Sequence, residues 1–258
     1  MAIVIKSTSE LALMREAGRI VAKLLLEMQE HIRPGATTGD LDKRAARVLE
    51  KHDATSPFYK YPNHVRAHRP FPGMICASIN EELVHGIPGK RVLKEGDIVK
   101  IDCGAVYKGW IADSAWTFPV GNVSPDARRL LEVTEGALYA TIAAAKSGNR
   151  TGDMAAALQG YVEDRDFNVV REYTSHGVGR RLHEDPQVPN YGPPGKGPKL
   201  RPGMTIAVEP MVLSGSYETR ELSDQWTVVA RDGNLTAHFE HTIAITDGEP
   251  EILTKLQS

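Results

Sequence analysis

Two aspartates, Asp102 and Asp113, are placed in this sequence where a divalent metal could bind. Strand-like runs on either side of Lys108-Gly109 predict a β-hairpin with a two-residue turn. That turn pairs Gly104 with Asp113, so the two carboxylates become diagonal neighbours on one face of the sheet. A solvated pair on an exposed face is the alternative. The flanking residues are those of a buried strand, however, where aspartate is depleted and like charges repel. A cation between the carboxylates is therefore expected.

Three side chains in the second half of the chain complete a donor set. His176 lies among small residues, Glu209 ends the run Met204–Val208, and Glu240 lies in a predicted strand from Leu235 to Ile245. Four carboxylates and one imidazole suit hard or borderline ions such as Mn²⁺, Fe²⁺, Co²⁺ or Zn²⁺. Four negative charges are excessive for one divalent ion but balance two, which predicts a dinuclear centre that generates hydroxide near neutral pH.

Helical periodicity and capping residues define the elements that must position these donors. The predicted elements are a helix from Ser9 to His31, a helix capped by Thr38 that runs to about His52, a helix capped by Ser124 that ends near Gly148, a helix capped by Thr151 that runs to about Asp164, and strands over Met74–Ile79 and Asp97–Phe118.

The sequence also repeats itself. The matched segments are Gly35–Leu41 with Gly148–Met154, His85–Ile87 with His176–Val178, and Leu93–Asp102 with Leu200–Glu209. Each match alone is weak, but all three occur in the same order beside matching helix or strand patterns. They predict one domain over residues 1–258, built from two pseudo-symmetric halves of about 1–120 and 121–258. Because Asp102 corresponds to Glu209, one site between the halves is expected.

Composition excludes several classes of protein. The chain has 258 residues, 25% charged and 41% hydrophobic, with a net charge of -2. These values are ordinary for a globular protein and give no electrostatic reason to bind nucleic acid or an anionic membrane. No apolar run approaches the roughly 20 residues that span a bilayer. The N-terminal segment lacks the features of a signal peptide, and two cysteines fit a reducing compartment, so we expect a cytoplasmic protein.

Several motifs together resemble the methionine aminopeptidases of the short, bacterial type. They are His85-Gly86-Ile87-Pro88, Asp97–Asp102, Ala112-Asp113-Ser114, Ser175–Gly179, His183–Pro186, Val208–Met211 and Phe239–Thr242. The resemblance covers nearly the whole chain in order. It implies an α+β, pita-bread fold with two helix-helix-strand halves around a central antiparallel sheet. It also implies two divalent metal ions and removal of the initiator methionine from nascent proteins when the second residue is small and uncharged.

The same resemblance implies individual roles for the metal donors. Asp102 would chelate one metal, His176 and Glu209 would hold the other, and Asp113 and Glu240 would bridge both. Glu209 is in addition a candidate proton shuttle to the leaving amine, while a metal-bound hydroxide attacks the scissile carbonyl.

The substrate-binding positions follow from the resemblance too. His85 and His183 would contact the scissile peptide and act in catalysis, and Cys76 and Trp226 would line the pocket for the methionine side chain. Plain core packing is an equally good interpretation of Cys76. The role of the long loop over residues 56–73 stays open, and so does which of its aromatics line the pocket. The candidates are Phe58, Tyr59, Tyr61 and Phe71. His238 shares strand parity with Glu240 but has no assigned role.

Two other functions are known for proteins of this fold. A peptidase for Xaa-Pro bonds, or a creatinase-like hydrolase, would share the fold but usually carries an additional N-terminal domain. A metal-free binding protein of this fold typically loses donors, whereas all five are present here. The expected partners are therefore nascent polypeptides with N-terminal Met, with a transient contact to the ribosome, and the expected oligomeric state is a monomer.

Overall fold

Four helices and a series of short antiparallel strands surround the predicted donors. The computed structural model describes residues 2–255, and its elements are numbered here in chain order. The helices are α1 Thr8–His31, α2 Thr38–Lys51, α3 Pro125–Ala144 and α4 Thr151–Glu163. The strands are β1 Cys76–Ile79, β2 Glu82–Val84, β3 Ile98–Tyr107, β4 Trp110–Pro119, β5 Asn168–Val169, β6 Thr174–Gly177, β7 Glu184–Pro189, β8 Thr205–Val208, β9 Met211–Leu213, β10 Thr219–Glu221, β11 Val228–Ala230, β12 Thr236–His238, β13 His241–Ala244 and β14 Glu251–Ile252.

The predicted hairpin is confirmed with its register. Strands β3 and β4 pair antiparallel with Gly104 opposite Asp113 and Asp102 opposite Ala115. The turn residues Lys108 and Gly109 both have positive φ, 49° and 77°. Positive φ at both positions defines the type I′ turn that matches the twist of the strands. The two carboxylates therefore share one face, as the period of two requires.

Most helix boundaries agree with the capping signals, and two caps lie one residue earlier than predicted. Ser7 and Ser124 cap α1 and α3. Thr37, not Thr38, caps α2, since its hydroxyl accepts from the N–H of Asp40 at 3.1 Å. Thr38 is the first residue of α2, and its hydroxyl oxygen accepts instead from the N–H of Gly89. The chain thus uses the second threonine for a contact distant in sequence.

The cap of α4 is displaced in the same way. Arg150 occupies the cap position and Thr151 is the first helical residue. The carboxylate of Asp153 accepts from the N–H of Arg150 at 2.7 Å, which satisfies a donor that the helix leaves open. The prediction of Thr151 as the cap was therefore wrong by one residue.

Two strand predictions need correction. β1 begins at Cys76 rather than Met74, because the N–H groups of Met74 and Ile75 donate to the Asp42 carboxylate at 2.7 and 3.2 Å and leave the ladder. Glu240 does not lie in a continuous strand. It falls between β12 and β13, and its N–H donates to the carbonyl of Ala115 at 2.8 Å. The interruption aims this carboxylate toward the hairpin.

The strands that carry donors belong to sheets that meet at β4. One sheet has the order β1-β3-β4, and a five-stranded sheet has the order β14-β13-β8-β6-β7. Their junction is hydrogen-bonded through Thr242, whose hydroxyl accepts from the N–H of Asp113 at 2.9 Å and donates to the carbonyl of Asp113 at 2.7 Å. This hydroxyl fixes the backbone that carries one predicted donor against the strand that follows another.

Each helix pair packs on strands of its own part of the chain. Buried side chains of α1 and α2 pack on β1, β3 and β4, while those of α3 and α4 pack on β8 and β12. A third cluster joins Cys76 and Trp110 from the first part to Val178 and Ala207 from the second. The predicted donors lie along this junction.

The sequence repeats make the same backbone contacts. In each pair below, the first bond lies in the first repeat and the second bond lies in the second repeat. The bond from Gly35 N to Leu93 O corresponds to that from Gly148 N to Leu200 O. The bond from Gly39 N to Gly89 O corresponds to that from Gly152 N to Lys196 O, and the bond from Gly96 N to Val120 O corresponds to that from Gly203 N to Ile245 O. Gly96 and Gly203 also share a positive φ, 89° and 85°. We propose from these matched contacts that the chain is one domain made of two structural repeats that divide near residue 120.

Candidate metal centre

A cavity of about 510 Å³ lies between the two parts of the chain. Every site residue predicted from the sequence lines it. These residues are Cys76, His85, Asp102, Asp113, His176, His183, Glu209, Trp226 and Glu240. The cavity is polar where the carboxylates converge and apolar around Trp226. It therefore offers a charged centre beside a pocket for a hydrophobic side chain.

Three donors are close enough to share one ion. One ligand atom from each of Asp113, His176 and Glu240 lies within 4.8 Å of the others, and all three residues are buried. They arrive from β4, from β6 and from the break between β12 and β13. Asp102 and Glu209 line the same cavity but stand outside this tight group.

The pKa values of the four carboxyl groups in the cavity are all raised. Burial raises the pKa of Asp102 to about 7. Burial, reinforced by the charge of Asp102, raises the pKa of Asp113 well above its usual range. The pKa values of Glu209 and Glu240 are also raised well above the ordinary value by burial. Four such groups cannot all be ionised together unless positive charge lies among them.

The tautomer of His176 points to the same requirement. Its Nδ1 lies 2.9 Å from the carbonyl of Gly177, so Nδ1 carries the proton and Nε2 carries the lone pair. Nε2 lies 3.4 Å from Oε1 of Glu209. Burial lowers the pKa of His176 to about 3, so its imidazole is neutral. When Glu209 is ionised, both of these atoms are acceptors, and a cation between them would satisfy both.

The donor set fits divalent metal ions. Asp102 Oδ1, Asp113 Oδ1 and Glu240 Oε1 are buried and have no hydrogen-bond partner among the residues that the structure describes. An unpaired buried carboxylate oxygen is costly, and coordination to a cation removes that cost. Oxygen donors with one neutral imidazole are ligands for first-row divalent ions.

His85 occupies a strained backbone position at the edge of the cavity. It follows β2 with φ 58°, a left-handed conformation that is uncommon for residues other than glycine. The N–H of the neighbouring Gly86 donates to the Ser78 hydroxyl at 2.9 Å, and this hydrogen bond fixes the turn. Burial lowers the pKa of His85 to about 4. The side chain is thus a neutral hydrogen-bonding group, and backbone strain of this kind is concentrated at functional sites.

The long loop over residues 56–73 contacts His183, which gives this loop a role that the sequence pattern does not predict. The hydroxyl of Tyr61 lies 2.7 Å from Nδ1 of His183. The rings of His183 and His176 are 4.4 Å apart between centroids. When Tyr61 donates to Nδ1, the proton of the neutral imidazole is on Nε2. No motif predicts this contact, because the two residues are 122 positions apart in the chain.

The same loop forms one wall of the apolar pocket. Phe58, Tyr61 and Phe71 line the cavity, and Phe71 packs edge-on against Trp226 with centroids 5.2 Å apart. Indole Nε1 of Trp226 donates to the carbonyl of Arg69 at 2.9 Å. Tyr59 is 45% exposed and is not among the lining residues, so the loop's aromatics divide between the pocket and the surface.

A buried ion pair supports the segment that carries His183. Glu184 accepts from the ammonium of Lys6 at 2.8 Å and from the N–H groups of Arg180 and Arg181 at 2.8 and 3.1 Å. The side chains of Lys6 and Glu184 are 1% and 4% exposed. Charge-assisted bonds to two consecutive N–H groups fix the turn immediately before His183.

Replacement of Tyr61 by phenylalanine is expected to lower kcat/KM about fivefold to tenfold for a Met-Ala peptide, the kind of substrate that the resemblance implies. The variant loses one hydrogen bond to His183, and such a bond contributes about 1 kcal/mol. Tyr59→Phe is the matched control, since its side chain is exposed in the same loop. Equal activity of the Tyr61→Phe variant and the parent would show that the hydroxyl does not orient His183.

Comparisons with known proteins identify the family of this chain. The model of metallopeptidase family M24 matches residues 12–247. The chain is 54% identical to methionine aminopeptidase 1 of Bacillus subtilis over 98% of this chain and 100% of that one. It is 47% identical to the methionine aminopeptidase of Clostridium acetobutylicum over 98% of each chain.

A solved structure shows the same fold. The crystal structure of a methionine aminopeptidase from Thermotoga maritima superposes with a TM-score of 0.95, at 45% identity, over 99% of this chain and 100% of that one. The fold is therefore the α+β, pita-bread fold that the motifs implied. By sequence and by structure, the chain belongs to metallopeptidase family M24, among the methionine aminopeptidases of the short, bacterial type.

Proposed function

We propose that this chain is a metal-dependent aminopeptidase that removes the N-terminal methionine from proteins and peptides. The observation that carries the proposal is the buried group of Asp113, His176 and Glu240, placed beside an apolar pocket that contains Trp226. Full-length relatives named methionine aminopeptidase support the same activity. Use of a divalent metal follows from the family and from the donor set.

We propose further that the centre holds two ions. The charge of four carboxylates favours two divalent cations over one, and the set suits Mn²⁺, Fe²⁺, Co²⁺ or Zn²⁺. In this assignment Asp102 belongs to one ion, His176 and Glu209 belong to the other, and Asp113 and Glu240 lie between them. The close approach of His176 Nε2 to Glu209 Oε1 supports the assignment of these two residues to the same ion.

Bound divalent cations would polarise the scissile carbonyl and lower the pKa of water. The protein's own groups orient the substrate around them. Neutral His85 and His183 donate hydrogen bonds to the scissile peptide and to its developing negative charge. Glu209 would take a proton from the attacking water and pass it to the leaving amine. The ring of Trp226 and the thiol of Cys76 contact the methionine side chain, whose polarisable sulfur favours such neighbours.

The wider setting belongs to the same proposal. The substrates would be nascent polypeptides whose second residue is small and uncharged, met during a transient contact with the ribosome. The protein would act in the cytoplasm as a monomer. No helix within residues 2–255 is both long enough and apolar enough to cross a bilayer.

A peptide panel with and without metal tests the proposed function. Protein stripped of metal with a chelator should release no methionine from Met-Ala-Ser, and added Co²⁺ or Mn²⁺ should restore the activity. N-acetyl-Met-Ala-Ser is the control, since an aminopeptidase requires a free amine. Faster cleavage of a Gly-Pro peptide would favour the Xaa-Pro alternative. Full activity without metal would refute the proposal.

A further inference from the structure

His238 is a buried histidine in the cavity that none of the roles above uses. Its side chain is 1% exposed, and it lines the cavity together with the proposed donors. Neither Nδ1 nor Nε2 has a hydrogen-bond partner among residues 2–255. A buried imidazole with both nitrogens unpaired costs free energy, so such a group calls for a functional explanation.

The backbone around His238 is held firmly. The hydroxyl of Thr117 donates to the carbonyl of His238 at 2.7 Å and accepts from its N–H at 3.0 Å. Two residues earlier, the buried ammonium of Lys100 donates to the carbonyl of Thr236 at 2.8 Å. These contacts clamp β12 against the first half of the chain, so the direction of the imidazole is set by the fold.

The imidazole is directed at one oxygen of a proposed metal ligand. Nε2 of His238 lies 3.5 Å from Oε2 of Glu209, while Nε2 of His176 lies 3.4 Å from Oε1 of the same carboxylate. Glu209 therefore lies between two imidazoles, one facing each oxygen. A distance of 3.5 Å is too long for a good hydrogen bond, and a shift of about half an ångström brings it into range.

The two imidazoles have different tasks. His176 has its Nδ1 on a backbone carbonyl and thus offers a lone pair at Nε2. His238 is not part of the tight group formed by Asp113, His176 and Glu240. An imidazole ring carries a proton on at least one nitrogen in both its neutral and its protonated form. A proton on Nε2 would point toward Oε2 of Glu209, which is 3.5 Å away.

We propose that His238 is a positioning residue of the metal centre, donating an Nε2–H hydrogen bond to Oε2 of Glu209. The bond would hold the carboxylate with Oε1 directed toward the ion that it shares with His176. Ligating carboxylates are commonly held in this way, and loss of such a partner costs about 10- to 100-fold in metal affinity. The inference rests on the proposed function, since it requires a metal centre.

Two amide variants separate the nitrogens of the ring. The side-chain amide of glutamine places a donor at about the reach of Nε2, and that of asparagine places one at about the reach of Nδ1. Metal-stripped full-length protein and the variants His238→Gln and His238→Asn would be titrated with Co²⁺ by calorimetry. The affinity of His238→Gln is expected to stay within about threefold of the parent, whereas that of His238→Asn falls about 10- to 100-fold.

Thermal unfolding of the metal-free proteins is the control for a purely structural role. Similar melting temperatures of the two variants together with different Co²⁺ affinities would support the assignment. Equal affinities of the two variants, whether both like the parent or both weakened, would overturn it, and the weakened case would make His238 itself a ligand. A parent protein that binds no Co²⁺ would instead refute the proposed function.

Discussion

We expect kcat/KM for peptides that begin Met-Leu to be more than roughly 200-fold lower than for peptides that begin Met-Ala. A factor of roughly 200 is the upper end of what apolar selection alone achieves. In the proposed function, the scissile bond lies between the metal donors and the two histidines His85 and His183. The rings of His176 and His183 are only 4.4 Å apart there. Both are held at Nδ1, His176 by a carbonyl and His183 by Tyr61. We therefore expect these fixed rings to leave little room for a long second side chain.

The measurement is kcat/KM for Met-Ala-Ser and Met-Leu-Ser at the same metal loading. Met-Val-Ser and Met-Thr-Ser provide a matched pair, because valine and threonine have nearly the same size but different polarity. Similar rates for these two would identify size as the cause of rejection. Comparable rates for Met-Ala-Ser and Met-Leu-Ser would contradict the initiator-methionine role.

The His183→Ala variant is expected to bind metal like the parent and to lose about 100- to 1000-fold in kcat. Removal of a hydrogen-bond donor to the developing oxyanion has an effect of this size. His183 is outside the tight group of donors, so the centre should keep its ions. Because the proposed interaction would be made mainly in the transition state, kcat should fall more than KM rises.

Co²⁺ calorimetry and steady-state kinetics on the same preparations check this expectation. His52→Ala is the control, since His52 follows α2 and is not among the residues that line the cavity. A metal-loaded His183→Ala protein with full turnover would remove His183 from the catalytic residues. A fall in metal affinity as large as the fall in kcat would make it a metal ligand instead.

Local patterns predicted much of the fold. The hairpin register could be predicted because a two-residue turn and the period of two fix which side chains oppose each other. Helix α3 begins after Ser124 as predicted, whereas α1 begins at Thr8, one residue before the predicted Ser9. The caps of α2 and α4 were displaced by one residue. Consecutive polar residues such as Thr37 and Thr38 are equally suitable as caps, and a distant contact decides between them.

The candidate metal donors also came from the sequence, because residue type restricts coordination chemistry and the motifs match a known family. Their arrangement did not. Local pattern predicted a continuous strand through Glu240, whereas the N–H bond to Ala115 interrupts it and turns the carboxylate toward the hairpin. The proposed roles of the individual ligands stay predictions until metal titration separates them.

The sequence by itself therefore determined the chemistry available to this protein: the donor types, the hairpin face that carries two of them, and the family. Tertiary structure alone decided the supports of the site. Tyr61 and His183 are 122 positions apart, and His238 faces Glu209 from a different strand. Periodicity and turn chemistry act over a few residues, whereas these contacts depend on how whole sheets and a long loop pack. For that reason the tyrosine hydroxyl and the unpaired imidazole became visible only in the folded chain.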